Sequence, residues 1–169
     1  ILILDFGSQY TQLIARRVRE IGVFSEVKPS SISTEKIIEM NPSGIILSGG
    51  PETVTISSSQ KVHKSLLKAK IPILGICYGM QTIANELGGS VVRSDIREFG
   101  HAEISHVNQS VLFDNVSFDS DSLDVWMSHG DKVKVLPKNF EIIASSKDCK
   151  VAGFQNLDSN LFGLQFHPE

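Results

Sequence analysis

The stretch Ile71-Pro72-Ile73-Leu74-Gly75-Ile76-Cys77-Tyr78-Gly79-Met80-Gln81 decides how the rest of the chain is read. Its first six residues form an apolar run of strand length, suited to a strand buried on both faces. From Met80 to Leu87 the pattern is helical, and Gly88-Gly89 stops it. Cys77 therefore falls where a buried strand gives way to a helix, with a glycine two residues to either side. This is the thiol version of the G-x-S-x-G nucleophile elbow. A sharp strand-to-helix turn strains the backbone at the nucleophile and crowds the positions two residues away, and glycine relieves the crowding. The new helix aims free N–H groups and its positive dipole end at the sulfur, which favours thiolate over thiol. A cysteine without that setting is ordinarily a small buried apolar residue. Cys149, in Lys147-Asp148-Cys149-Lys150, is read as an incidental residue near a turn.

Upstream of this stretch, short apolar runs alternate with amphipathic helical patterns, as in βαβ units around a parallel sheet. Ile1 to Phe6 is an apolar run ending at Gly7-Ser8. Ser8 is expected to cap a helix whose apolar stripe is Tyr10, Leu13, Ile14, Val18 and Ile21, with Gly22 as its stop. Val23 to Lys28 is expected as a strand and Thr34 to Met40 as a helix capped by Ser33. Gly44 to Ser48 is a third strand running into Gly49-Gly50-Pro51, and Lys61 to Lys70 a helix after a Ser-rich loop. Past Ser90 the texture becomes β-rich. Strands are expected at 103–107, 110–113, 123–127, 141–144, 151–155 and 161–166, with Ser128-His129-Gly130-Asp131 as a polar turn. The fold class that follows is α/β: an open, largely parallel central sheet with flanking helices and an antiparallel β extension, in one domain over 1–169.

Bulk properties narrow the function classes. The 169 residues are 41% hydrophobic and 21% charged, a globular composition rather than a disordered one. With 16 basic against 19 acidic residues the net charge is −3, so no nucleic-acid footprint is expected. No apolar run reaches the ~20 residues of a membrane span. Two cysteines do not make a disulfide scaffold, and a reducing, cytoplasmic setting is the expectation. Both ends look cut, so the chain is expected to be a piece of a longer polypeptide.

A thiol nucleophile needs a base that takes its proton and returns it to the leaving group. Of five histidines, His167 in Phe166-His167-Pro168-Glu169 fits best. Pro168 biases His167 toward an extended conformation, and side chains at i and i+2 then project to one side. Glu169 can hold one ring nitrogen while the other faces the thiol, the logic of a triad. His129 is expected to line a pocket rather than act as a second base. His63 is expected on an exposed helix face, and His101 and His106 on strands. No metal site is expected, since no histidine or cysteine pair has helix-type ligand spacing. For the oxyanion, the backbone N–H of Tyr78 and the Gly49-Gly50 turn after the third strand are the candidate donors. That turn could also be a plain turn or a weak phosphate cradle, though it lacks the Lys-Ser/Thr end of a P-loop.

Together, Gly-Ile-Cys-Tyr-Gly-Met-Gln, Ser-Gly-Gly-Pro-Glu and the terminal His-Pro-Glu resemble the class I (triad) glutamine amidotransferases, over the whole chain and in the family's order. Ile3 to Tyr10, Arg16 to Glu20, Arg97 to Gly100 and Ser128 to Asp131 point to the branch that serves GMP synthetases. The resemblance implies a flavodoxin-like core and a glutaminase reaction. Cys77 would attack the side-chain amide of L-glutamine, His167 would protonate the departing ammonia and Glu169 would orient His167. Gly50 and Tyr78 would supply the oxyanion N–H groups. Gln81, Ser128, His129, Gly130 and Asp131 would hold the substrate. It also implies a synthetase (ATP-pyrophosphatase) domain, fused C-terminally, that uses ATP and Mg²⁺ to aminate XMP, and a homodimer through a further domain. No cofactor is implied for residues 1–169. The Ser-Gly-Gly-Val-Asp-Ser phosphate loop of a synthetase half is missing from this sequence, and Thr55 to Lys64 looks less like the family than its neighbours.

Three other readings compete. One is an amidotransferase serving anthranilate, CTP or carbamoyl phosphate synthesis, against which the Asp-Phe-Gly-Ser-Gln-Tyr start and the Ser-His-Gly-Asp segment speak. Another is a γ-glutamyl hydrolase on the same scaffold, cleaving peptide-like substrates. The third is a silent protein that only binds a partner, against which the complete Cys, His and Glu set speaks.

Overall fold

The computed structural model describes residues 1–119 and 121–169, with side chains throughout except at 95–97. Arg97, one of the residues behind the family resemblance, therefore has its side chain outside the described set. One nine-stranded sheet runs in the order β2-β1-β3-β4-β9-β8-β7-β5-β6. The strands are β1 (Leu2–Asp5), β2 (Glu26–Pro29), β3 (Ile45–Leu47), β4 (Ile73–Ile76), β5 (Ser90–His106), β6 (Ser122–Val135), β7 (Glu141–Ser146), β8 (Gly153–Asn156) and β9 (Leu161–Leu164). The helices are α1 (Thr11–Glu20), α2 (Thr34–Met40), α3 (Lys64–Leu67) and α4 (Tyr78–Glu86). The first five strands in the sheet order pair in parallel, and from β9 outward every pairing is antiparallel. The expected parallel core with an antiparallel extension is what forms.

The parallel strands are apolar runs because α-helices cover the sheet. Leu2, Leu4, Leu47 and Ile73 share one core with Tyr78, Met80 and Ile83 of α4, while Ile3, Ile14, Ala15 and Ile76 line another. Each such fully buried large side chain contributes roughly 1.5–3 kcal/mol relative to exposure. Behind the antiparallel half, Ile104, Met127, Ile143, Cys149, Leu164 and Phe166 make a third core. Cys149 is thus fully buried in a core, not merely incidental near a turn. Among the described residues, no helix is long and apolar enough to cross a membrane.

The β4–β9 pairing positions the site. Ile73, Leu74, Gly75 and Ile76 lie opposite Leu161, Phe162, Gly163 and Leu164. Cys77 and His167, 90 residues apart in the chain, therefore leave the C-terminal ends of adjacent parallel strands. The N–H of Cys77 continues the ladder by donating to Leu164 O at 2.7 Å.

Four local expectations give way. Ser128 to Asp131 lie inside β6 rather than in a turn, paired to β5 through Phe99↔Ser128, Glu98↔His129 and Arg93↔Asp131. Their polar, glycine-containing composition reads as a turn, but Met127, His129 and Val133 alternate inward and the cross-strand ladder overrides local propensity. Residues 110–113 form a single 3₁₀ turn with Ser110 Oγ accepting from Leu112 N at 3.3 Å, instead of a strand. Ser8 precedes α1 without capping it: the cap position is Tyr10, and Ser8 Oγ accepts from Tyr10 N at 3.0 Å. Helix 61–70 shrinks to Lys64–Leu67, with the exposed His63 at its cap position rather than on its face. Ser33 does cap α2, accepting from Lys36 N.

Candidate active site

Cys77 has φ 52° and ψ −106°, a backbone conformation that L-residues other than glycine seldom adopt. Such strain costs on the order of 1–3 kcal/mol and is stored at functional sites. The flanking glycines are needed for the reason the spacing implies. A Cβ on Gly75 would sit 2.5 Å from Gly79 C and Met80 N, and one on Gly79 would land on the Leu47 carbonyl oxygen. Cys77 is the cap residue of α4, so the first-turn N–H groups of that helix begin at Tyr78, next to the sulfur.

His167 reaches the same point from β9. Its Nδ1 is 2.8 Å from Glu169 Oε1, and both side chains are almost fully buried. Its backbone N–H donates to Trp126 O at 2.9 Å, and the Tyr10 ring packs on its imidazole at 5.2 Å between centroids. Both side chains converge on Gly49, where a Cβ would meet His167 Cε1 at 3.2 Å and Cys77 Cβ at 3.7 Å. Burial by itself would lower the His167 pKa. Hydrogen bonds to Cys77 and Glu169 and the fields of both outweigh it and push the value up to about 9. With Glu169 accepting at Nδ1, Nε2 is the atom left for the sulfur.

The cleft over Cys77 has a volume of about 450 Å³. Among its lining residues are Gly50, Tyr78, Gln81, Ser128, His129, Gly130, Asp131 and His167, so every expected site residue but Glu169 borders it. Glu169 stands behind His167. Gly7, Gly50 and Cys77 follow β1, β3 and β4, which places the cleft at the carboxyl edge of the parallel sheet.

Some of these residues meet the cleft differently from expectation. Gln81 is buried and already engaged: its Nε2 donates to Asp131 O at 2.9 Å and to Gln165 Oε1 at 3.2 Å. His129 has its side chain turned inward, 1% exposed, with Nδ1 3.0 Å from Asp131 O. Burial is the main reason its pKa falls to about 4, which keeps the ring neutral. The carbonyl of Ser128 accepts from the Cys77 thiol at 3.6 Å.

Two residues were not anticipated. Gln165, fully buried, donates from Nε2 to the Cys77 sulfur at 3.6 Å. A polar residue two positions before His167 in an otherwise apolar run was the available signal. Glu98 faces His129 across the β5–β6 ladder, and only knowledge of the register could have found it.

A strained thiol on a helix N-terminus and a carboxylate-held imidazole, both bordering one cleft, form an arrangement that can carry out thiol-mediated acyl transfer. The model of the glutamine amidotransferase class-I family matches residues 2–169. Of curated relatives, the GMP synthase [glutamine-hydrolyzing] of Teredinibacter turnerae is 52% identical over 174 residues, and that of Ruthia magnifica 54% over 170. Each match covers all of this chain and 33% of the relative, so the chain spans about a third of the length of these proteins. Among solved structures, a candidate GMP synthase protein from Thermoplasma acidophilum superposes with TM-score 0.84 at 31% identity, over 99% of this chain and 82% of that one. Site geometry, family model and relatives agree: the chain belongs to the class I glutamine amidotransferases.

Proposed function

We propose that the chain hydrolyses L-glutamine to glutamate and ammonia through a Cys77–His167–Glu169 triad, and that the ammonia serves amination of XMP to GMP. The observation that carries the reading is the meeting of Cys77 and His167 at the ends of β4 and β9, with Glu169 2.8 Å behind the imidazole. The Cys77 thiolate attacks the side-chain amide carbon of glutamine. The oxyanion that forms is held by the N–H groups of Gly50 and Tyr78. The His167 imidazolium gives its proton to the amide nitrogen, ammonia leaves and a glutamyl thioester remains. Neutral His167 then takes a proton from water as the oxygen attacks the thioester carbon. The thiolate departs, glutamate is released and His167 is again charged. Glu169 fixes the ring and favours its charged form at both steps. Ser128, His129, Gly130 and Asp131 wall the glutamine subsite, with Gln81 bracing them from α4.

The names of the relatives and the third of their length that this chain matches support the rest of the reading. ATP and Mg²⁺ belong to a synthetase region outside residues 1–169, fused after the glutaminase region, in a cytoplasmic homodimer.

The test compares glutamine-dependent and ammonia-dependent GMP formation in the full protein. Cys77→Ala should lose about three orders of magnitude of the first and keep the second, while Cys149→Ala keeps both. Glutamine-dependent turnover that survives Cys77→Ala refutes the triad. Ammonia release from glutamine without GMP formation refutes the pathway and leaves the glutaminase standing.

A further inference from the structure

Behind the cleft wall, the side chains of Glu98, His129 and Cys149 bring their reactive atoms within 4.8 Å of one another. Cys149 is accounted for: burial pushes its thiol up to about 12, and it donates to Val151 O at 3.4 Å, the state of a packed thiol. Glu98 and His129 are not. Glu98 Oε2 and His129 Nε2 lie 3.1 Å apart, both buried. Neither has an aligned hydrogen bond to any atom among the described residues, and among these each lies closest to answering the other.

Counting protons decides what they are to each other. His129 Nδ1 faces a carbonyl, Asp131 O at 3.0 Å, which can only accept, so Nδ1 carries a hydrogen. In a neutral ring Nε2 is then a bare lone pair. An ionised Glu98 would set a second buried lone pair against it, with no donor between the two atoms to answer either. One more proton between Oε2 and Nε2 removes the conflict. It turns a 3.1 Å contact of two acceptors into a hydrogen bond.

The pair also sits at the head of a chain of contacts that reaches the sulfur. From Asp131 O the chain runs to Gln81 Nε2 at 2.9 Å, from Gln81 to Gln165 Oε1 at 3.2 Å, and from Gln165 Nε2 to Cys77 Sγ at 3.6 Å. Glu98 is itself held from the other side, where Ser146 Oγ approaches Oε1 at 3.5 Å.

Resting on the glutaminase reading above, we propose that Glu98 is a positioning residue. It and His129 retain one shared proton, and that proton holds the Ser128–Asp131 segment of β6 in the register that glutamine binds. Glu98 does not touch substrate and acts through His129. Among the described residues, the charged and titratable groups that bear on the pair are Asp148 and Lys132 on Glu98, and Lys132, His167 and Asp131 on His129, with Cys149 beside both. Burial, followed by Asp148, raises the Glu98 carboxyl and burial lowers the imidazole, so the neutral acid donating to the neutral ring is the form both favour. Losing that proton at high pH would loosen the wall, which raises KM for glutamine before it changes kcat.

The experiment measures glutaminase kcat and KM against pH in wild type, Glu98→Gln and Glu98→Ala. ¹⁵N-histidine NMR of the same proteins supplies a readout independent of activity. Glu98→Ala should raise KM about tenfold near neutral pH, the loss of one buried hydrogen bond, with kcat changed less. Glu98→Gln, whose amide N–H can donate to Nε2 without titrating, should restore KM and abolish the alkaline rise in KM that wild type shows. In wild type, NMR should find His129 protonated at Nδ1 and accepting at Nε2. A KM in Glu98→Ala within twofold of wild type overturns the proposal, as does an undiminished alkaline rise in Glu98→Gln. So does an Nε2–H tautomer, or a stoichiometric metal ion bound between Glu98, His129 and Cys149. A wild-type protein without glutaminase activity overturns the reading on which the proposal rests. The NMR tautomer would still decide the shared proton.

Discussion

Replacing Glu169 by Gln isolates what the third member of the proposed triad does to the second. The His167 imidazole titrates at about 9 where an ordinary histidine would at 6.5. At 1.36 kcal/mol per pH unit, the folded site favours the imidazolium by about 3 kcal/mol. Burial works against that preference, so the contacts supply more than the net figure. Two partners provide them, Cys77 and Glu169, each by a hydrogen bond and by its field. Glutamine at 169 can still accept from Nδ1–H at the 2.8 Å distance but brings no charge. Losing roughly half of the stabilisation would bring the His167 midpoint down by about one to two pH units, toward neutrality. The assay is the pH dependence of Cys77 alkylation by iodoacetamide, paired with NMR titration of His167. Wild type should keep an imidazolium beside the sulfur across the neutral range, and Glu169→Gln should lose it near neutral pH. A His167 midpoint that stays put in Glu169→Gln would refute the assignment of Glu169 as its electrostatic partner.

Other outcomes follow from the same geometry. Gly79→Ala places a methyl on the Leu47 carbonyl, so thermal melting should show a loss of several kcal/mol, about 2–5. Gln165→Leu removes the donor to the sulfur and leaves Gln81 with one acceptor fewer. A fall in kcat of about tenfold, with the melting temperature little changed, is the expected signature. Stability itself should peak near pH 6.5. The raised His167 pKa contributes stability that is present below 6.5 and is lost as pH climbs through about 9. The lowered His129 pKa contributes stability that is present above 6.5 and is lost as pH falls through about 4. Each arm amounts to about 3 kcal/mol, readable by denaturant unfolding across pH. The His167→Gln variant should flatten only the alkaline arm.

What was legible in the amino-acid sequence is what short-range physics writes there. The elbow could be read because Gly75, Cys77 and Gly79 answer one another over five residues, and the glycines are needed for steric reasons of the turn itself. His-Pro-Glu could be read because Pro168 sets the geometry between His167 and Glu169 locally. The β1, β3 and β4 strands announce themselves as apolar runs because helices cover the parallel sheet. Ser128 to Asp131 could not be placed by the same means. Their turn-like composition is overruled by pairing with residues some 30 positions away, at Glu98 and Phe99. Gln165 stands out in the sequence only as a polar residue in an apolar run; its role depends on β9 lying beside β4, a contact between segments 88 residues apart. The Glu98–His129 pair likewise exists only once the β5–β6 register is known.

The central claim is that Cys77, and not the second thiol, forms the covalent bond to glutamine. Peptide mapping by mass spectrometry after labelling with a glutamine-analogue electrophile tests it most directly. The strained, helix-capped thiol at the cleft floor should carry the label, with glutamine protecting it, while Cys149, buried and held as a thiol, stays unmodified. A label on Cys149, or on Cys77 at a rate that glutamine does not slow, would contradict the account.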